Sequence, residues 1–329
     1  MTGQEAIPGV TVRTLQPADL TEALELLASL SAFDNRHQSR RLLTASDSQE
    51  AYRAIVAKRN GVVIGAAALT PIPTLPGAAS ARVVVAETEQ GRGVGSLLAH
   101  DISAAFHSSH PIRTVTCALR DDLHHGRGFA ERYGFQVTNH SLGWRFDLTN
   151  SPDALEDRAV KAAEEARVSI RQADFESEEE RITSCASRCI TGFSIPFGGR
   201  QGVDLSNLRT VIPDGARTFL AETTGGPVGR PCGLVVVSPM SDDHRGSAWY
   251  TIFTGVDPDH RRRGVGTALK TTVLAEARRA NAAVVTGHSD ETNQSITRLN
   301  RGLGMATAVG YWSMALGEGQ ALDRPAPLG

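Results

Sequence analysis

Cysteine is scarce in this chain, four in 329 residues, which is too few for a disulfide framework. Cys117 and Cys232 lie in apolar, strand-like runs, where a reduced thiol behaves as a small hydrophobe, and both read as core. Cys185 and Cys189 stand one helical turn apart, but no second Cys/His pair follows nearby to complete a zinc site, so no metal is expected. No apolar run approaches the ~18 residues that a membrane helix needs. A net charge of −2 with 21% charged residues gives no basic excess for bulk nucleic-acid binding. The first residues, Met1-Thr2-Gly3-Gln4-Glu5-Ala6-Ile7-Pro8, hold neither a basic nor an apolar leader region, which predicts no signal peptide and a cytoplasmic protein. Lysine is nearly absent: Lys58, Lys161 and Lys270 are three of 34 basic residues, and that skew toward arginine, with abundant Ala and Gly, points to a GC-rich genome rather than to a mechanism.

What the chain does have is a pair of glycine-rich turns 171 residues apart, Gln90-Gly91-Arg92-Gly93-Val94-Gly95 and Arg261-Arg262-Arg263-Gly264-Val265-Gly266. Each follows a β-prone run (Ala81–Ala86; Trp249–Thr254) and precedes a helix-compatible one. Glycines allow tight turning and close ligand approach, and a helix start presents unpaired N–H groups at the positive end of its dipole. The expected ligand therefore bears phosphate. Neither turn has the Lys-Ser/Thr of an NTPase phosphate loop, and neither has the third glycine of a dinucleotide fingerprint. In the second turn, three adjacent arginines suit a pyrophosphate or 3′-phosphate, because like charges repel unless an anion is near.

The repeat extends beyond the turns. Val10-Thr11-Val12-Arg13 is echoed by Val168-Ser169-Ile170-Arg171, and each turn is followed by a matching pair, Gly134-Phe135 and Gly304-Met305. Colinear duplication over this distance predicts two homologous domains, which the length accommodates. The expected limits are 1–149 and 168–318, joined by a charged, alanine-rich helical linker over 150–167 and followed by a disordered tail over 319–329. Asn60-Gly61 between two β-prone runs signals a hairpin. The second copy repeats it as Arg217–Glu222, a turn at Thr224-Gly225-Gly226-Pro227, and Cys232–Val237. Two closing strands are expected through Leu148.

The pattern [Q/R]-x-x-G-x-G, above all Val256-Asp257-Pro258-Asp259-His260-Arg261-Arg262-Arg263-Gly264-Val265-Gly266, resembles the acyl-CoA pyrophosphate loop of the GNAT acetyltransferase superfamily; in the first copy Glu87 replaces the proline. The chain as a whole is similar to tandem GNAT proteins of the mycothiol-synthase type, some of them from actinomycete antibiotic clusters such as that of clavulanic acid. The resemblance implies an α+β fold of two GNAT domains, each a mixed, mostly antiparallel sheet flanked by helices. The strand before each turn and the strand after its helix should part at a bulge and leave a cleft. It implies acetyl-CoA, or another acyl-CoA, held by Val85, Gln90, Gly91, Arg92, Gly93, Val94, Gly95 and Ser96. In the second copy the equivalent set is Val256, Arg261, Arg262, Arg263, Gly264, Val265, Gly266 and Thr267, joined by Asn293. The free N–H near Val85 or Val256 would polarise the thioester carbonyl.

The implied reaction is direct attack of a small-molecule amine on the thioester, in a monomer or homodimer that engages neither membrane nor nucleic acid. Family members commonly place a Tyr proton donor four residues before the glycine of the Gly-Phe pair, where this chain has Ala130 and Asn300. Asn293-x-x-Ile296-x-x-x-Asn300-x-x-Leu303-Gly304-Met305 resembles a signature of one GNAT subgroup, which puts Asn293 near pantetheine or pyrophosphate and Asn300 near sulfur. Asn293 is equally readable as a helix cap. Tyr250 and His288 are the titratable candidates of the second cleft, His288 the better base because an imidazole titrates near neutrality. Asp121, Asp122, His124 and His125 read as a polar loop. The expected division of labour is a catalytic C-terminal half and a structural or regulatory N-terminal acetyl-CoA site. A non-catalytic acyl-CoA binder, or a transferase for a longer acyl or aminoacyl group, are the alternatives.

Overall fold

The structure is a computed structural model and describes residues 7–29, 53–72, 75, 77–108, 112–149, 154–190, 212–213, 215–225, 230–242 and 246–316. The variable loop 194–209 and the tail 319–329 lie outside the described residues. The described chain forms two compact units. One runs through Asn139 and resumes at Tyr311; the other begins at His140 and ends at Gly310.

In the first unit, β1 (Val10–Thr14), β2 (Arg53–Arg59), β3 (Val62–Pro71) and β4 (Ala78–Val85) are joined in antiparallel pairs, with α1 (Leu20–Ser29) before β2. The β2–β3 turn has Asn60 at φ 50° and Gly61 at φ 84°, the two left-handed positions that the Asn-Gly pair predicts. Then come α2 (Val94–Ser108), β5 (Thr114–Arg120), parallel to β4, and α3 (His124–Arg132). Apolar residues on one sheet face, among them Ile55, Leu69 and Val115, pack with Leu98 and Ile102 of α2; Val56, Ala66 and Val84 on the other face meet Ala23, Leu24 and Leu27 of α1. Burying one such leucine stabilises by roughly 1.5–3 kcal/mol.

The second unit repeats the plan with β7 (Val168–Ala173), α5 (Phe175–Ile190), β8 (Arg217–Thr223), β9 (Pro231–Asp242), β10 (Gly246–Val256), α6 (Val265–Arg279), β11 (Val284–Asp290) and α7 (Gln294–Gly302). The charged stretch 155–165 forms the helix α4 (Leu155–Glu165). It does more than connect, since Leu155 is fully buried and Ala159 joins the core of α6 and the sheet.

Closing strands are where local pattern stops deciding. A single 12-residue strand, β6 (Gln136–Asp147), stands where two were expected. From Ser141 onward β6 pairs antiparallel with β11, in the second unit. The last strand, β12 (Ala306–Leu316), pairs its Tyr311–Leu316 segment with β5, in the first. Met314 and Leu316 are fully buried there.

The two units share an ion-pair device at their starts. Arg13 holds Asp19 at 2.6 and 2.9 Å, with Lys58 adding 2.7 Å. The echoed Arg171 holds Glu178 at 2.8 and 2.6 Å. Asp19 is buried, and Arg13, Lys58 and the Gln16 N–H keep its carboxyl far below the usual carboxylate range, the Arg13 hydrogen bond acting most strongly.

Candidate active site

Both glycine turns adopt one backbone shape. Gly91 and Gly93 have φ of 73° and 83°, and Arg262 and Gly264 have 61° and 83°. The repeated left-handed pair explains the glycines of the first copy, while Arg262 bears the strain in the second. Each turn follows a one-turn 3₁₀ helix, Glu87–Glu89 or Pro258–His260, so loss of the proline left the first turn's shape intact. The start of α6 has no side-chain cap, and residues 261–264 are exposed. This leaves N–H groups available to an anion.

The first letter of the motif does work that its spacing did not announce. Gln90 Nε2 donates to the carbonyl of Val85 at 3.0 Å, and Arg261 Nε donates to that of Val256 at 3.1 Å. Arg261 also reaches the Cys189 carbonyl at 3.0 Å. It is a clamp on the strand end rather than a free phosphate ligand. Arg262 and Arg263 are exposed and make no side-chain hydrogen bond among the described residues. Asp257 seats the turn from the other side, accepting from Arg188 at 2.8 Å and from the Asp259 N–H at 3.2 Å.

The clefts open beside these clamps. β4 pairs with β5 only from Ala78↔Thr114 to Ser80↔Thr116, and β10 pairs with β11 only from Ala248↔Val284 to Thr251↔Gly287. β10 carries the expected bulge, between Thr251 and Phe253 opposite β9, whereas β4 runs in unbroken register with β3. The first cleft therefore parts without a bulge. The Ala86 N–H bonds Ile64 and the Asp257 N–H bonds Cys232, each at 2.9 Å, so those residues face their antiparallel neighbour. By strand alternation the polar groups of Val85 and Val256 face the cleft.

Next to each cleft, Gly95 and Gly266 sit in the first turn of the helix. A Cβ on Gly266 would lie 3.1 Å from Leu299 of α7 and 3.7 Å from Val256; one on Gly95 would lie 3.4 Å from Phe129 and 3.7 Å from Val85. The absent side chain keeps the helix start low between the strand end and the next helix. A turn of this form fits the diphosphate of an acyl-CoA.

In the second unit the titratable candidates meet. Tyr250 of β10 and His288 of β11 lie at the point of parting, with Tyr250 Oη 3.0 Å from His288 Nδ1. His288 Nε2 is 3.2 Å from the Val309 carbonyl, which can only accept. The proton therefore belongs on Nε2, and Nδ1 accepts from the tyrosine. Gly143 lies opposite His288, and a methyl there would overlap the Val309 carbonyl, so its bareness lets that acceptor approach.

Asn293 is resolved as a cap, its Oδ1 accepting from the Ile296 N–H at 3.2 Å. Asn300 is 1% exposed, and its Oδ1 accepts from Lys270 Nζ at 2.8 Å. Lys270, one of the three lysines, was not singled out in the sequence. It lies on α6, 7% exposed, and burial pushes its ammonium down to about 8. In the first copy Arg120 grips Asp122 at 2.9 and 2.6 Å, while His124 and His125 stand in the first turn of α3 rather than in a loop, and Leu123 begins that helix with no side-chain cap. Burial pushes the Cys117 and Cys232 thiols up to about 12 and about 11, so neither is a thiolate near neutral pH.

The model of the "Acetyltransferase (GNAT) family" matches residues 20–135 and 195–305, more than half of the chain. The chain belongs to the GNAT acetyltransferase family. It is an acyltransferase with two tandem GNAT domains in an α+β fold. No curated protein matches it in sequence. Among solved structures, a GCN5-related N-acetyltransferase from Sphaerobacter thermophilus is similar at 18% identity and TM-score 0.67, over 98% of each chain. A tandem GNAT protein from the clavulanic acid biosynthesis pathway is similar at 17% identity and TM-score 0.67, over 97% of this chain and 100% of that one. Proteins of this GNAT family use acetyl-CoA as donor in general.

Proposed function

We propose that this GNAT protein transfers an acetyl group from acetyl-CoA to the amine of a small molecule in its second unit, and that the first unit holds acetyl-CoA in a structural or regulatory role. The observation that carries the division is the comparison of the two copies. Thr116 Oγ1 bonds the Ala79 carbonyl at 3.4 Å and Thr286 Oγ1 bonds that of Trp249 at 3.4 Å, which aligns the cleft strands residue by residue. On that alignment Tyr250, His288 and Asn300 of the second unit correspond to Ser80, Ala118 and Ala130 of the first. Both copies keep the turn; one keeps the proton-handling groups.

An acceptor amine reaches the cleft mostly protonated and must lose a proton before attack. The Tyr250 oxygen can take a proton from that ammonium as its own proton moves to His288 Nδ1, which leaves a neutral amine and a neutral tyrosine. The Val309 carbonyl then stabilises the resulting imidazolium through Nε2–H. The cleft-facing N–H of Val256 is placed to receive charge developing on the thioester oxygen. Gly264, Gly266 and the α6 N-terminus would hold the pyrophosphate, with Arg262 and Arg263 free to pair with phosphate.

A Gly266→Glu substitution sets a carboxylate among these phosphate contacts and should abolish CoA release with every amine in a panel; undiminished release would overturn the assignment.

A further inference from the structure

Lys270 is a buried ammonium in the second unit. An ammonium is seldom buried without a carboxylate partner, because removing it from water is costly unless it is neutralised. Here no charged group among the described residues displaces its pKa; desolvation alone does so. Its hydrogen-bond partner is the Asn300 amide oxygen at 2.8 Å. The first unit has Ala99 and Ala130 at the corresponding places, both buried in its core. The fold thus packs this helix pair with two methyl groups, and the second unit has replaced both with polar side chains.

The pair lies beside the turn. Leu299, the residue before Asn300, is the atom group nearest to Gly266, and Lys270 follows Gly266 by four residues, one helical turn along α6. Asn300 also anchors the end of α7, its carbonyl accepting from the Met305 N–H at 3.0 Å. Lysine can only donate, so the amide oxygen is fixed toward it. The ammonium is held out of bulk water between α6 and α7, one turn along α6 from the glycine that borders Val256.

We propose that Lys270, oriented by Asn300, is the proton donor to the departing CoA sulfur, supplied from α6 in place of a donor on α7. As the amine nitrogen bonds the carbonyl carbon, the C–S bond breaks, its electron pair goes to sulfur, and the surplus proton on the new amide nitrogen passes to water. Sulfur takes a proton from Lys270 Nζ and leaves as the thiol. The neutral lysine is reprotonated from solvent after product leaves. An aliphatic thiol has a reference pKa of about 8.5, so donor and leaving group are matched within the range where proton transfer is efficient.

This proposal rests on acyl-CoA binding in the second unit, and one experiment separates the two. CoA is added to the Gly95→Glu protein, which confines it to the second turn, and the thiol is titrated by the ultraviolet absorbance of its thiolate. The ammonium should lower the pKa of the bound thiol by one unit or more, and Lys270→Met should restore the free value while CoA still binds. If CoA fails to bind, the function itself falls. If it binds with the same thiol pKa in both proteins, the donor role falls. Lys270→Met should also lower kcat by roughly 10²-fold. Should that variant misfold, Lys270→Arg keeps the charge but donates poorly, and it should retain the lowered thiol pKa while losing kcat; unchanged kcat in both variants overturns the proposal.

Discussion

Lys270 titrates near 8 rather than 10.5 because folding strips its ammonium of water, and the pH dependence of stability follows from that difference. Below pH 8 both the folded and unfolded chains hold the proton, and the native state bears the full desolvation penalty. Between pH 8 and 10.5 the unfolded chain binds more protons, so stability rises with pH. The wild type should therefore gain up to about 3 kcal/mol relative to Lys270→Met between pH 7 and 10.5 in urea unfolding. A difference that does not change with pH would show that the ammonium is solvated. A second prediction at this scale concerns the base. Tyr250→Phe and His288→Ala should each lower kcat by roughly 10²-fold with little change in acetyl-CoA affinity, measured by steady-state CoA release and calorimetry. The site was partly readable residue by residue. Tyr250 and His288 are a titratable pair on neighbouring strands, and their hydrogen bond follows from that. Lys270 was hidden because its surroundings, Ala268, Leu269 and Val273, give an apolar pattern in which a lysine looks like one solvated position. The one available signal was Ala99 at the same place in the other copy, since an alanine among buried residues marks a core site.

At the scale of single elements, turns and hairpins were the most readable features because their chemistry is local. Asn60-Gly61 and the glycine turns need left-handed backbone that few other residues supply. Strand partnership was not readable, since β6 and β12 each find their neighbours through long-range pairing that no local pattern encodes. The same limit hid the role of Gly143. It reads as an unremarkable strand glycine until β12 is found to pass close against it, with the Val309 carbonyl serving His288. Gly143→Ala should push that carbonyl away, destabilising the protein by roughly 1–3 kcal/mol and depriving His288 of its Nε2 acceptor. Urea unfolding reads the first effect, and a kcat deficit at saturating acetyl-CoA reads the second. Wild-type values for both would mean that β12 does not approach β6 as described. The clamps on Val85 and Val256 belong to this scale as well. A Gln and an Arg do the same job, and the motif's tolerance of either residue reflects a donor requirement rather than a phosphate contact.

For the whole molecule, duplication supplies an internal control that a single domain lacks. Both units preserve the parallel strand pair, the left-handed turn, the glycine in the first turn of the helix and the Thr–carbonyl bond across the cleft. Among the described residues, only the second has a bulge in the strand before the turn, the Tyr250–His288 pair and the Lys270–Asn300 pair. Retention of a binding frame without its chemistry is what a holding domain beside a catalytic one would show. The measurement that tests this most directly is native mass spectrometry of the protein with acetyl-CoA, run alongside a CoA-release assay on the wild type and on Gly266→Glu. The account predicts two acetyl-CoA molecules on the wild-type chain, one on the variant, and no turnover by the variant. One bound molecule on the variant with undiminished turnover would place the chemistry in the first unit and contradict it.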